Sequence, residues 1–142
     1  MKSLSYSKHL ETLIALITHL AVTDWLMRTP PNLAKALSIE EKEIENTLES
    51  FKSLFRKSVK KSTKTGAHFY SLQLRYAQQW REETDDDEDI RKSPLNPKYL
   101  IALLEFASDK ARQESERKVG LNIAWLTTAG SLIVAIVAII VR

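Results

Sequence analysis

Cysteine is absent from this 142-residue chain, which removes disulfide scaffolds, thiolate metal sites and cysteine nucleophiles from consideration. Glycine is scarce as well, with three residues and no glycine-rich loop of the kind that cradles a phosphate. The histidines His9, His19 and His68 stand far apart in sequence, so neither a metal-ligand spacing nor a catalytic constellation can be written from them. No metal, no organic cofactor and no enzymatic activity are therefore expected. The length leaves room for one domain of about 100–150 residues including its extensions, which excludes a large enzyme core.

What is present is unevenly distributed. The formal net charge of +3 conceals a separation, because residues 1–81 carry 13 Lys/Arg against 7 Asp/Glu, whereas residues 82–118 carry 7 against 11. A basic head is thus followed by an acidic linker. From Val119 to Val141 there are 23 consecutive uncharged residues. At about 1.5 Å per helical residue such a run matches a hydrocarbon layer of about 30 Å, so a C-terminal transmembrane helix is expected. Lys110, Arg112, Arg117 and Lys118 precede it and only Arg142 follows, a bias that puts the head on the cytoplasmic side as a tail-anchored, single-pass membrane protein. Gly120, Ala124, Thr128, Ser131, Ala135 and Ala138 recur at spacings of four and three, and such a line of small residues is the pattern of transmembrane self-association.

The head begins with Leu10, Leu13, Ile14, Ile17 and Leu20, spaced as one apolar stripe of a helix. Thr29 with Pro30 fits the start of a second helix carrying Leu33, Ala34 and Leu37, and Ser38 with Glu41 fits a capping box opening a third through Ile44, Leu48 and Phe51. Residues 56–65 hold no acid and four lysines, and lead into Gly66, a turn residue. His68 to Tyr76 then alternates, with Tyr70, Leu72, Leu74 and Tyr76 on one side and Ser71, Gln73 and Arg75 on the other, which predicts a strand and so a β-hairpin.

Leu33-Ala34-Lys35-Ala36-Leu37-Ser38-Ile39-Glu40-Glu41, followed by Ile44, Leu48, Phe51 and the hairpin, resembles the winged helix-turn-helix superfamily of bacterial and archaeal regulators over about residues 7–80. The resemblance implies a mainly α fold, three helices plus a β-hairpin wing, with the third helix facing a DNA groove and the wing meeting backbone phosphate. Carried onto this chain, it makes Lys42, Asn46 and Lys52 the residues of the third helix able to reach nucleic acid, joined by Arg56, Lys57, Lys60, Lys61 and Lys64 of the wing. The same helix carries Glu40, Glu41, Glu43, Glu45 and Glu49, which repel phosphate, so the wing is expected to dominate. Anionic lipid headgroups and a merely solvated hairpin tip are the competing readings of that basic run.

Residues 82–89 form an acidic block without an apolar side chain, lacking the glycine and spaced glutamate of a calcium loop. Its charge suits it to compete for the wing. Residues 98–118, with Tyr99, Leu100, Leu103, Leu104, Phe106, Ala107 and Ala111, predict an amphipathic juxtamembrane helix that packs on the head or on a second copy. Four segments follow: a head at 1–81, an acidic linker at 82–97, this helix at 98–118 and the anchor at 119–142. Three functions fit them: a membrane-tethered, dimeric regulator binding nucleic acid through its wing; an adaptor whose acidic third helix docks a protein partner; and a membrane-perturbing effector of a defence system.

Overall fold

The computed structural model describes residues 4–82 and 93–140, with side chains described through residue 79 and from 93 to 121. Among the described residues the chain is mainly helical, in the order α1 (Tyr6–Val22), α2 (Pro30–Leu37), α3 (Glu41–Ser50), β1 (Phe55–Lys61), β2 (His68–Leu72), α4 (Gln73–Glu82) and α5 (Pro97–Ile140).

α1 is the central element. Leu13, Leu16, Ile17, Leu20 and Ala21 are fully buried, while Ile14, expected on the buried stripe, is 38% exposed. The stripe is rotated because α1 is covered from two directions, by α3 and β2 on one side and by α5 on the other. Leu33, Ile44, Leu48, Phe51, Phe55, Tyr70 and Leu72 complete the core of the head. Trp25, between α1 and α2, is 62% exposed.

Two helix boundaries differ from expectation. Ser38 does not cap α3; it ends α2 in the left-handed conformation at φ 55°, with its own N–H and that of Ile39 both directed to the Ala34 carbonyl. Only three residues separate the two helices, so Ser38 must reverse the chain and its side chain is lost to the next N-terminus. Thr29 precedes α2 without a side-chain cap, and Pro30 and Pro31 occupy the first two positions, so the second offers no N–H for a cap to accept.

β1 and β2 pair antiparallel, with Phe55 opposite Leu72, Arg56 opposite Ser71, Lys57 opposite Tyr70 and Lys61 opposite His68. Four steps along β1 therefore match two along β2, which bulges the strand at residues 58–60. His68 Nδ1 donates to the Ser58 carbonyl at 2.9 Å and fixes the bulge. Gly66, at φ +68°, supplies the turn. Arg28 adds a short third rung, exchanging backbone hydrogen bonds of 2.9 and 2.8 Å with Tyr70.

The second strand stops at Leu72, and Leu74, Arg75 and Tyr76 belong to α4 rather than to the predicted strand. Arg75 is wholly buried. Its guanidinium donates to the Leu20 carbonyl at 2.8 Å, one of the carbonyls left free at the end of α1, and to the Ser93 carbonyl at 3.1 Å. Burial draws its pKa down, against the attraction of Asp24.

α5 runs antiparallel to α1. Leu95 N–H donates to the Ala21 carbonyl at one end, and Glu114 receives Tyr6 N–H at 2.9 Å and Ser7 N–H at 3.0 Å at the other. Leu100, Leu103, Leu104, Ala107 and Ala111 form the packed face, and the alanines allow close approach of the two helices. The expectation that this helix packs against the head thus describes residues 97–114.

The expected C-terminal transmembrane helix is not seen. Among the described residues no helix is long and apolar enough to cross a membrane. The predicted juxtamembrane and anchoring segments are one continuous helix of 44 residues, whose described side chains from Pro97 to Leu121 include Lys98, Glu105, Asp109, Lys110, Arg112, Glu114, Glu116, Arg117 and Lys118. Charges at that density keep residues 98–118 out of a hydrocarbon environment. Of the small-residue line, Gly120 has no atom near its Cβ direction within 4 Å, and Ala124, Thr128, Ser131, Ala135 and Ala138 lie where only backbone is described.

Candidate nucleic-acid interface

The basic residues of the hairpin divide into three groups because of strand alternation and of one acid. Lys57 projects toward the side of the sheet that carries Tyr70, and there Glu49 of α3 meets both. Glu49 accepts from Lys57 Nζ at 2.6 Å and from the Tyr70 hydroxyl, with Lys52 Nζ at 3.8 Å. The hydrogen bonds from Lys57 and then Tyr70 hold the Glu49 carboxyl below its ordinary range despite partial burial. Burial first, and the Glu49 carboxylate second, push the Tyr70 phenol up to about 12. Lys52 and Lys57 are therefore half-neutralised within the chain.

Arg56, paired with Ser71, lies on the opposite face of the hairpin from Lys57, and Ser58 and Lys60 join it through the bulged segment. There they line a groove of about 300 Å³ together with Met27, Val59, Ser71 and Tyr76. The Arg56 guanidinium carbon lies 3.7 Å from the Tyr76 ring centroid, a stacked cation–π contact. Ser71, directly across from Arg56, is 1% exposed and its hydroxyl has no hydrogen-bond partner.

Lys61 and Lys64 make up the third group, fully outward at the hairpin tip, where Ser62 organises the turn by accepting from Lys64 N–H at 3.2 Å and Thr65 N–H at 3.3 Å. No family model, curated protein or solved structure matches this chain. The site must accordingly be judged on its own chemistry.

That chemistry is bipolar. Residues 51–81 hold eight Lys/Arg and no acid, whereas residues 40–49 hold five glutamates and one lysine. On α3, Lys42 and Asn46 are exposed beside the exposed Glu41 and Glu45, and Glu43 is occupied by the Thr12 hydroxyl. The structure thus brings Arg56 with Lys60, and Lys52 with Lys57, but gathers Lys42 and Asn46 into neither group. Among the described residues no group of three His or acidic side chains could hold a metal ion. His19 has its Nε2 buried without a partner; burial and the nearby Arg28 lower its pKa. Of the acidic block at 82–89, expected to compete for the hairpin, all but the backbone of Glu82 lies outside the described residues.

Sequence reasoning passed over Glu49, Tyr76 and Ser71 as site residues. Glu49 sits among glutamates that look alike in sequence, and Tyr76 was assigned to a strand that ends four residues earlier. Ser71 alone was signalled, by its alternation out of phase with Tyr70 and Leu72.

Proposed function

We propose that the chain is a winged-helix regulator that binds nucleic acid through its hairpin, the wing, by contacts to backbone phosphate. The observation that carries this reading is the outward presentation of Lys60, Lys61 and Lys64 on a segment without acids, while α3 offers chiefly carboxylates to solvent. Phosphate contacts position a protein on a duplex without reading its sequence, so binding should be weakly sequence-dependent. With the expected bilayer helix not seen, attachment to a membrane forms no part of the proposal.

Three lysines that each displace a condensed counterion give a slope of log K against log salt of about −2.7. Fluorescence anisotropy of the full chain with a labelled 20-base-pair duplex across a salt series measures it. Lys60, Lys61 and Lys64 replaced together by glutamine should flatten the slope toward zero. Equal binding by wild type and triple variant at every salt concentration would exclude the wing as the contact. A second reading rests on the exposed Glu40, Glu41 and Glu45, which suit α3 to a basic protein surface. Charge reversal at these three positions should strengthen duplex binding under the first reading and abolish partner capture under the second.

A further inference from the structure

We infer that the groove on the outer face of the wing is a separate site for a small organic phosphate that carries an apolar group. Three features converge there. Arg56 and Lys60 supply two cations, and no acidic residue lines the groove, whereas Glu49 engages the lysine on the opposite face. Ser71 contributes a hydroxyl that is 1% exposed and lacks any partner, a group taken from water and left unsatisfied unless an acceptor arrives. The remaining walls, Met27, Val59 and Tyr76, are apolar or aromatic, and the Val59 side chain, 95% exposed, is open to contact.

The ligand class follows from those walls. A phosphomonoester accepts from a guanidinium in two parallel hydrogen bonds and from a hydroxyl in a third, which matches Arg56 and Ser71 facing each other across the β1–β2 pair. A groove of about 300 Å³ exceeds what a bare phosphate fills and falls at the lower edge of small-molecule sites. An apolar or aromatic group beside the phosphate would occupy the rest, against Val59 and the Tyr76 ring. The bulge at residues 58–60 shapes this wall, and bulges recur where a strand must re-aim side chains toward a site. Lys60 is the one residue shared with the nucleic-acid surface, whereas the wing-tip lysines Lys61 and Lys64 do not line the groove.

Phenyl phosphate is the probe. The full-length chain, isotopically labelled, is titrated with phenyl phosphate and separately with inorganic phosphate while Arg56 Nε–H and the amides of Ser58, Lys60 and Ser71 are followed by NMR. Saturable shifts confined to these groups are expected, with phenyl phosphate the tighter of the two. Ser71→Ala and Arg56→Gln should each weaken phenyl phosphate about tenfold or more, as loss of a hydrogen bond to a charged group does. Lys61→Gln with Lys64→Gln should leave it unchanged while weakening the duplex, which separates this site from the wing tip. Thermal melts confirm that both groove variants fold; should Arg56→Gln not, Ser71→Ala and Tyr76→Leu carry the test. Shifts that never saturate, that track Lys61 and Lys64, or that are as large in Ser71→Ala as in wild type would overturn the inference.

Discussion

Replacing Glu114 by alanine should detach α5 from the start of α1. The carboxylate accepts four hydrogen bonds, from the Tyr6 and Ser7 amides at 2.9 and 3.0 Å and from the Ser5 and Ser7 hydroxyls at 3.1 Å each. Both amides belong to the first turn of α1, whose N–H groups have no partner within the helix. Hydrogen bonds to a charged group contribute about 1.5–3 kcal/mol each when desolvated, but here water can replace part of what is lost, and an acid at a helix N-terminus adds about 0.3–1 kcal/mol. A net loss of about 2 kcal/mol is expected for Glu114→Ala and about 1 kcal/mol for Glu114→Gln, which keeps an acceptor. Urea unfolding followed by circular dichroism measures both, and amide exchange at Tyr6 and Ser7 localises the effect.

The pH dependence provides an internal check. Burial raises the Glu114 pKa, but the hydrogen bonds from Ser7 and Tyr6 outweigh it, so the folded value lies below the ordinary 4.5. A depressed carboxylate contributes fully above its unfolded pKa and loses that contribution as pH falls through the folded one. The stability difference between wild type and Glu114→Gln should therefore be constant above pH 4.5 and shrink below it. Glu49, also depressed, is common to both proteins and cancels in the difference. A Glu114→Ala protein within about 0.5 kcal/mol of wild type, a change ordinary for any surface substitution, would refute the latch.

Three other outcomes are expected. Arg75→Met should destabilise the fold by about 3 kcal/mol in the same urea assay, because it removes the side-chain donor to the buried Leu20 carbonyl and one of the donors to the Ser93 carbonyl, which Gln79 still serves; a change under about 1 kcal/mol would mean water replaces the guanidinium equally well. Glu49→Gln should release Lys52 and Lys57 and tighten duplex binding about threefold to tenfold in low salt, the gain vanishing above about 0.5 M as screening takes over. In an ultraviolet titration Tyr70 should be the phenol that ionises near pH 12, and since its folded pKa is raised above 10.0, the stability it adds should be present below pH 10 and lost as pH climbs toward 12; Tyr70→Phe should remove that step.

The helices of the head were legible because their apolar spacing is local, and the hairpin because Gly66 and an acid-free lysine run mark its turn. What sequence could not supply came from contacts between distant residues. The alternation of Tyr70, Leu72, Leu74 and Tyr76 is genuine, yet only the first two positions pair with β1; beyond them Gln73 N–H donates to the Leu54 carbonyl and the chain turns into α4. Arg75 looked like a solvent-facing strand residue, and its burial depends on carbonyls at positions 20 and 93 that periodicity cannot bring near. The helix following Pro97 was legible in its inner face, whereas its continuity across residues 118 and 119 was not, because the composition changes there from charged to apolar and invites division into two elements. At the hairpin, counting lysines identified the basic surface but not its partition. Only the position of Glu49 relative to Lys57 distinguishes cations already engaged from cations on offer.

The clamp built by α4 has an engineering consequence. Gln79 donates to the Ser93 carbonyl and hydroxyl, Gln78 accepts from Asn96 N–H and Arg75 reaches Ser93, so the chain is fastened immediately upstream and downstream of residues 83–92. Side-chain hydrogen bonds thus tie α4 to the residues that lead into α5. A variant library meant to keep this seam intact should accordingly hold Arg75, Gln78, Gln79 and Ser93 fixed.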